Sequence, residues 1–279
     1  MPAEPPAVVP HVGLFDSGIG GLSVLRALVR RLPAARFCYV ADTAFTPWGD
    51  RPPGWVVARC TQLSQWLIDQ GADLVLVACN TGTTQAIAAL RAHWPQVPFV
   101  GVEPGIKPAV AASRNRRVAV LATTGTLRSH RLRQLLDHHA GDASVLRLPC
   151  PGLAEAIERA DASDPALLAH LDEIAARLGE SGADTVVLGC THYPLVAEAL
   201  QQRLGPAVRL IDTAEAVARR VASLLPHAAP APTPASGAPL QLRATGPAQA
   251  LERAARRWLG ADAAVQPLAL PPPGAADPV

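Results

Sequence analysis

The 279-residue chain predicts an α/β fold of two pseudo-symmetric domains with mainly parallel sheets and a functional cleft between them. Three observations carry that expectation. Short, continuously apolar runs alternate with helical stretches, as strands covered by helices on both faces do. Residues 71–81 read G-A-D-L-V-L-V-A-C-N-T and residues 182–192 read G-A-D-T-V-V-L-G-C-T-H, so Gly-Ala-Asp, a buried run and a cysteine with polar followers recur. A fainter echo links V-G-L-F-D-S-G at 12–18 to V-A-V-L-A-T-T-G at 118–125. Strand endings in α/β proteins also resemble one another by chance, and two copies fall short of a solenoid, so the echo supports facing halves only loosely.

In chain order, Val12 to Phe15 reads as a strand ending at D-S-G-I-G-G, and L-S-V-L-R-A-L-V-R-R reads as the helix behind it. Phe37 to Val40 and Leu74 to Ala78 follow as strands, then Val118 to Leu121 and Val186 to Leu188. After Ala222 the composition turns to a Pro/Ala-rich connector, S-L-L-P-H-A-A-P-A-P-T-P-A-S-G-A-P, expected to be extended. Ala248 to Leu259 reads as a short helix, and P-P-P-G-A-A-D-P-V as a loose tail.

Composition narrows the function. Apolar residues make up 49% of the chain and aromatics 4%, so the core is built from Ala, Val, Leu and Ile. A net charge of +2, with scattered arginines, gives no reason to expect nucleic acid or an anionic membrane as partner. The first ten residues lack a signal-peptide pattern, and no apolar run is long enough for a membrane span. Five cysteines without tight spacing suit a reducing compartment better than a disulfide framework.

Ligands of open parallel sheets bind beyond the carboxyl ends of the strands. Asp16, Ser17, Cys79, Asn80, Thr81, Cys190, Thr191 and His192 all fall at such ends. If a pseudo-two-fold relates the halves, Cys79 and Cys190 approach one cleft from opposite sides. One thiolate could then take a proton from a carbon while the other thiol returns one to the opposite face. Helix N-termini would favour the thiolates, and Asp16 and His192 could accept or relay their protons. A cysteine after a buried strand is often only a small core residue; the matching polar flanks C-N-T and C-T-H favour chemistry here. Cys38, Cys60 and Cys150 lack such flanks and read as structural.

The loop D-S-G-I-G-G is no dinucleotide fingerprint, because Ser23 stands where its third glycine belongs, and no Lys makes it a phosphate loop. It reads either as a glycine turn for close packing or as a substrate contact. Thr123, Thr124 and Thr126 at the matching turn, with Asn80, Thr81, Thr83 and Thr191, offer neutral donors for a dicarboxylate, although each threonine also suits a helix cap. No metal is expected: a C-x-H step lacks the ligand count of a zinc site.

With D-S-G-I-G-G, D-T-A-F-T-P-W-G-D-R, A-C-N-T-G-T, E-P-G-I-K-P-A and L-G-C-T-H-Y-P-L in order, the chain resembles the glutamate racemases of the cofactor-independent aspartate/glutamate racemase superfamily. The resemblance runs from about Val12 to Ile211 and implies no cofactor. It implies a first domain of residues 11–100 plus 208–270, a second of 101–207, and loose termini at 1–10 and 271–279. It implies that Cys79 deprotonates D-glutamate and Cys190 L-glutamate, assisted by Asp16 and His192. Carboxylate contacts are implied from Ser17, Pro47, Trp48, Gly49, Asn80, Thr81 and Thr191. A cytoplasmic homodimer supplying D-glutamate to peptidoglycan assembly is also implied. Two motifs depart from the family pattern: Trp48 replaces a tyrosine, and C-N-T-G-T replaces C-N-T-A-S, so that Gly82 loosens the turn and Thr83 must act as the serine-like donor.

A pyridoxal-phosphate racemase needs a Schiff-base lysine, and the single lysine, Lys107, precedes a proline without a phosphate-binding context. A related decarboxylase would need one cysteine rather than two. Racemisation of aspartate or a hydantoin, and a non-catalytic ligand-binding or regulatory role, remain alternatives at this level.

Overall fold

The computed structural model describes residues 9–159, 164–225, 240–260 and 263–274. Most of the Pro/Ala-rich connector (226–239) and the outermost parts of both termini (1–8 and 275–279) lie outside the described residues. The first half runs β1 (His11–Asp16), α1 (Leu22–Arg31), β2 (Arg36–Ala41), α2 (Pro53–Asp69), β3 (Leu74–Val77), α3 (Asn80–His93) and β4 (Phe99–Gly101). The second runs α4 (Ile106–Ala112), β5 (Arg117–Ala122), α5 (Thr124–Arg128), α6 (His130–His139), β6 (Ser144–Pro149), α7 (Leu153–Arg159), α8 (Pro165–Ser181) and β7 (Thr185–Leu188). A 3₁₀ turn (Tyr193–Val196), α9 (Ala197–Leu204) and β8 (Arg209–Ile211) complete it. Then come α10 (Ala214–Leu224), β9 (Leu240–Ala244), α11 (Ala248–Leu259) and β10 (Val265–Pro267).

Two parallel sheets result, ordered β10-β9-β2-β1-β3-β4 and β6-β5-β7-β8. The orders 2-1-3-4 and 6-5-7-8 are the same path traced twice, and β9 and β10 extend only the first copy. In both, the strand order reverses at the first strand, which makes a topological switch point beside β1 and β3 and another beside β5 and β7. The sequence boundary at residue 208 needs correction. β8 pairs with β7, Thr185 opposite Arg209, and so lies in the second sheet; the chain returns to the first half only with α10, which packs on α1.

The Gly-Ala-Asp echo has a mechanical cause. Gly71 (φ 79°) and Gly182 (φ 65°) both take the left-handed conformation that turns the chain out of α2 and α8, a conformation glycine adopts without steric cost. The aspartates then tie each incoming strand to its neighbour. Asp73 accepts the His11 N–H at 2.8 Å, and Asp184 accepts those of Arg114 at 2.7 Å and Asn115 at 2.9 Å. Each motif thus fixes a switch-point strand against the central strand of its sheet.

α1, α10 and α11 cover one face of the first sheet, and α2 and α3 cover the other. One apolar cluster continues from Leu14, Leu25 and Leu76 into Ala119, Leu121 and Leu188, so the two halves share a core. No helix among the described residues is long and apolar enough to cross a membrane.

Candidate active site

The carboxyl ends of β1 and β3 face those of β5 and β7 across the junction of the halves. Asp16, the last residue of β1, is fully buried. Its Oδ1 accepts from the Gly18 N–H at 2.8 Å and from Ser17 Oγ at 3.4 Å, while Oδ2 accepts from Thr191 Oγ1, in the opposite half, at 2.7 Å. Burial raises its pKa from 3.8 to about 6, against the His192 charge and the hydrogen bonds from Thr191 and Gly18.

Cys79 follows β3 and caps α3, its sulfur accepting from the Gly82 N–H at 3.4 Å and lying 3.7 Å from Ser17 Oγ. A path Cys79–Ser17–Asp16 therefore links the thiol to a carboxylate. Burial, then the Asp16 charge, push the Cys79 thiol up to about 12, and the Cys190 charge adds to the shift, so the two sulfurs share one electrostatic environment.

Cys190 follows β7. Its sulfur lies 3.7 Å from His192 Nδ1, and His192 Nε2 is 2.6 Å from Glu158 Oε1. Burial opposes the imidazolium, but the hydrogen bonds and negative charges of Cys190 and Glu158 outweigh it, and the His192 pKa rises well above 6.5. Glu158 Oε1 also accepts the Ile19 N–H at 2.6 Å, which ties this relay to the first half.

These contacts explain the glycine loop. A Cβ on Gly18 would collide with the Glu158 carboxylate, and one on Gly20 would stand 2.5 Å from His192 Nδ1. The glycines of D-S-G-I-G-G admit side chains of the other half; of the two readings open at the sequence level, close packing accounts for Gly18 and Gly20.

Thr81 Oγ1 meets Thr123 Oγ1 at 3.0 Å and Thr126 Oγ1 at 3.4 Å, a hydroxyl trio drawn from both halves. Thr123 also caps α5, accepting the Thr126 N–H at 3.3 Å. Asn80 Nδ2 donates to Val102 O at 3.2 Å. Gly49 lies against Thr123, and Pro47 follows a cis peptide bond from Thr46.

Two expected contacts need correction. Thr83 is fully buried, and its hydroxyl donates to Val77 O and accepts from the Val102 N–H, both at 3.0 Å. That hydroxyl pins β3 to the residue after β4 and is taken out of the substrate set. The Trp48 ring turns into the first-half core, between Phe15 and Trp55, and its Nε1 donates to Asp42 Oδ2 at 3.2 Å. Only the Trp48 backbone remains for a ligand.

The same aspartate forms a buried ion pair with Arg59, at 2.6 and 3.0 Å, and accepts from Thr245 Oγ1 at 2.8 Å. This network braces the 42–50 loop. Asp42, Arg59 and Glu158 are not among the residues expected from the sequence. Asp42 sat within a recognised motif, whereas Glu158, in the helical run L-A-E-A-I-E-R, carries no local signal at all. Lys107 is exposed on α4, and no group of three or more His, Cys, Asp or Glu among the described residues could hold a metal.

Comparison with known proteins adds three findings. The family model described as Asp/Glu/Hydantoin racemase matches residues 20–221. Glutamate racemase of Pseudomonas aeruginosa is 49% identical over 214 residues, 77% of this chain and 81% of that protein. The crystal structures of glutamate racemase isoform RacE1 from Bacillus anthracis (29% identity, TM-score 0.81, 94% of this chain and 98% of that one) and of the Escherichia coli enzyme with L-glutamate and the activator UDP-MurNAc-ala (32%, 0.80, 90% and 96%) share the fold.

Proposed function

The chain belongs to the Asp/Glu/Hydantoin racemase family, and from that premise we propose that it interconverts L- and D-glutamate by two-thiol proton transfer at the α-carbon. The observation that carries this reading is the placement of Cys79 and Cys190 at equivalent strand ends of opposite halves, each with its own proton-exchanging neighbours.

One sulfur begins as thiolate and the other as thiol. The thiolate removes the α-proton from one face, the C–H electron pair passes into a planar carbanion conjugated with the carboxylate, and the opposite thiol delivers its proton to the other face. The product is the mirror image, and the thiolate has changed sides. Cys79 acts on D-glutamate and Cys190 on L-glutamate. At rest Cys79 holds its proton, since burial puts its pKa near 12. The substrate ammonium, beside the α-carbon, offsets part of the cost of forming the anion there. Asp16 through Ser17, and His192 backed by Glu158, exchange the protons that reset the pair.

Ser17, the backbone of Pro47 to Gly49, Asn80, Thr81 and Thr191 hold the carboxylates, with Thr123 and Thr126 completing the hydroxyl layer. The product supplies peptidoglycan assembly in the cytoplasm, and the working form is a homodimer.

Incubation with each enantiomer in heavy water tests the reading. Catalysis gives α-proton exchange and loss of optical activity from either side. Cys79→Ala and Cys190→Ala each abolish racemisation by about 10³-fold or more, while Cys60→Ala, which alters a buried thiol outside the strand-end motifs, remains active. Near-normal turnover in either of the first two variants would overturn the two-thiol assignment.

A further inference from the structure

Next to the hydroxyl trio lies a cavity of about 350 Å³, walled by both halves. Gly49, Asp50 and Arg51 come from the loop before α2, Gln85 from α3, and Gly125 and Arg128 from α5. Three features distinguish it. Arg51 and Arg128 are both exposed and stand on opposite halves, with neither in an ion pair among the described residues. Arg51 is oriented by the Trp55 ring, 5.0 Å from its guanidinium carbon. Gln85 also lines the cavity, and its buried Oε1 has no hydrogen-bond partner among the described residues, which leaves an unsatisfied acceptor at this wall.

The inner end is closed by backbone. A Cβ on Gly125 would stand 2.7 Å from Gly49 O, and Gly49 itself abuts Thr123, whose hydroxyl meets Thr81, two residues beyond Cys79. A molecule in the cavity is therefore separated from the hydroxyl trio by the contact of two glycines on opposite halves.

We propose that this cavity is the entrance through which an anionic amino acid reaches the thiols: Arg51 and Arg128 draw in its carboxylates, Gln85 Oε1 accepts from its ammonium, and parting of the Gly49–Gly125 contact admits it. The proposal deepens the racemase reading and rests on it for the substrate class. Glutamate carries two carboxylates, one ammonium and a net charge of −1, which matches two guanidiniums and one acceptor. Asp50 at the rim leaves this trio of ionised side chains with an excess of one positive charge, enough to favour monoanions over neutral amino acids.

The test is the double variant Arg51→Gln/Arg128→Gln, with substitutions confined to exposed positions. Two readouts apply. In steady-state kinetics with L-glutamate at low salt, kcat/KM falls about tenfold, the loss appears in KM rather than kcat, and the salt dependence flattens. In the second, Cys79 and Cys190 are alkylated with anionic iodoacetate or neutral iodoacetamide, and adducts are located by mass spectrometry. The iodoacetate rate falls several-fold in the variant while the iodoacetamide rate holds. An unchanged ratio of the two rates overturns the entrance, whatever the enzyme turns over. Should the wild type leave both glutamate enantiomers untouched, the racemase reading fails, and the alkylation ratio still decides the entrance.

Discussion

Cys79 and Cys190 occupy the same place in two copies of one strand path, yet their surroundings differ. The Cys79 sulfur caps a full helix, takes the Gly82 N–H, and reaches Asp16 only through the Ser17 hydroxyl. Cys190 is followed by a 3₁₀ turn whose N-terminus has no side-chain cap among the described residues, and its sulfur meets an imidazole directly, with a carboxylate behind that. One side therefore steadies its sulfur with a helix amide and reaches a carboxylate through a hydroxyl, while the other has an imidazole in direct contact. A duplicated scaffold has kept the positions of two groups while giving them different proton reservoirs. The relays also cross the cleft, Thr191 to Asp16 and Glu158 to Ile19, so each thiol's support depends on the halves being together.

The sharpest way to break this asymmetry is to remove the imidazole. His192→Asn should lower kcat/KM by about 10³-fold, within the range of a lost general acid/base. Because mirror images have an equilibrium constant of one, kcat/KM must fall equally in both directions. The difference between the two sides then shows in kcat and KM separately, which should move unequally for L- and D-glutamate. Glu158→Gln acts one step behind: with one of the influences that raise it removed, the His192 pKa drops, measurable by NMR titration of the ring. Equal changes in kcat for both enantiomers in His192→Asn would contradict a role on the Cys190 side alone.

On the other side, Asp16→Asn should cost less activity, about 10²-fold, since the Asp16 carboxylate reaches the Cys79 sulfur only by way of the Ser17 hydroxyl. It should also stabilise the protein. The folded pKa of Asp16 is raised from 3.8 to about 6 by burial. A raised pKa means that its favourable contribution is complete below pH 3.8 and is lost as pH rises through about 6. Above that, the buried carboxylate costs on the order of 3 kcal/mol relative to a neutral side chain. Thermal melts of Asp16→Asn and wild type should coincide near pH 3.5 and separate in favour of the variant at pH 8. A wild type that is the more stable at pH 8 would show that the hydrogen bonds from Thr191 and Gly18 outweigh burial. Stability given up for a functional group in this way is expected of active sites.

The same contrast explains what the sequence could disclose. Buried on both faces, β1, β2, β3, β5 and β7 write themselves as apolar runs, and the two cysteine motifs end two of them. The edge strand β6 is largely exposed, and β4, β8 and β10 have three residues each, so none leaves a periodic signal. Asp16, Cys79, Cys190 and His192 stand out as candidates because they are polar residues at strand ends, beside glycines and other polar residues. Glu158 does not, because its partners lie 34 and 139 residues away and nothing in its own helix marks it. Thr83 looked like a donor for the opposite reason: a hydroxyl in a functional motif reads the same whether it faces a ligand or a backbone carbonyl.

The helix cap at Cys79 leads to the smallest expected effect. Trp48 and Gly82, both expected from the resemblance to be departures, belong to one local arrangement. A Cβ on Gly82 would stand 3.1 Å from Trp48 Cζ3, 3.1 Å from Val77 Cγ1 and 3.3 Å from Cys60 Sγ, so the larger ring occupies room that a side chain would need. Gly82→Ala alone should therefore overpack this corner, cost about 1–2 kcal/mol, and shift the Gly82 amide that donates to the Cys79 sulfur. Shortening the ring relieves the crowding, so Trp48→Tyr/Gly82→Ala should recover part of the loss, with a coupling energy of about 1 kcal/mol in a double-mutant cycle. Simple additivity would mean that the two positions vary independently. It would then be the β3–α3 backbone, rather than the Trp48 ring, that sets the distance between the capping amide and the sulfur.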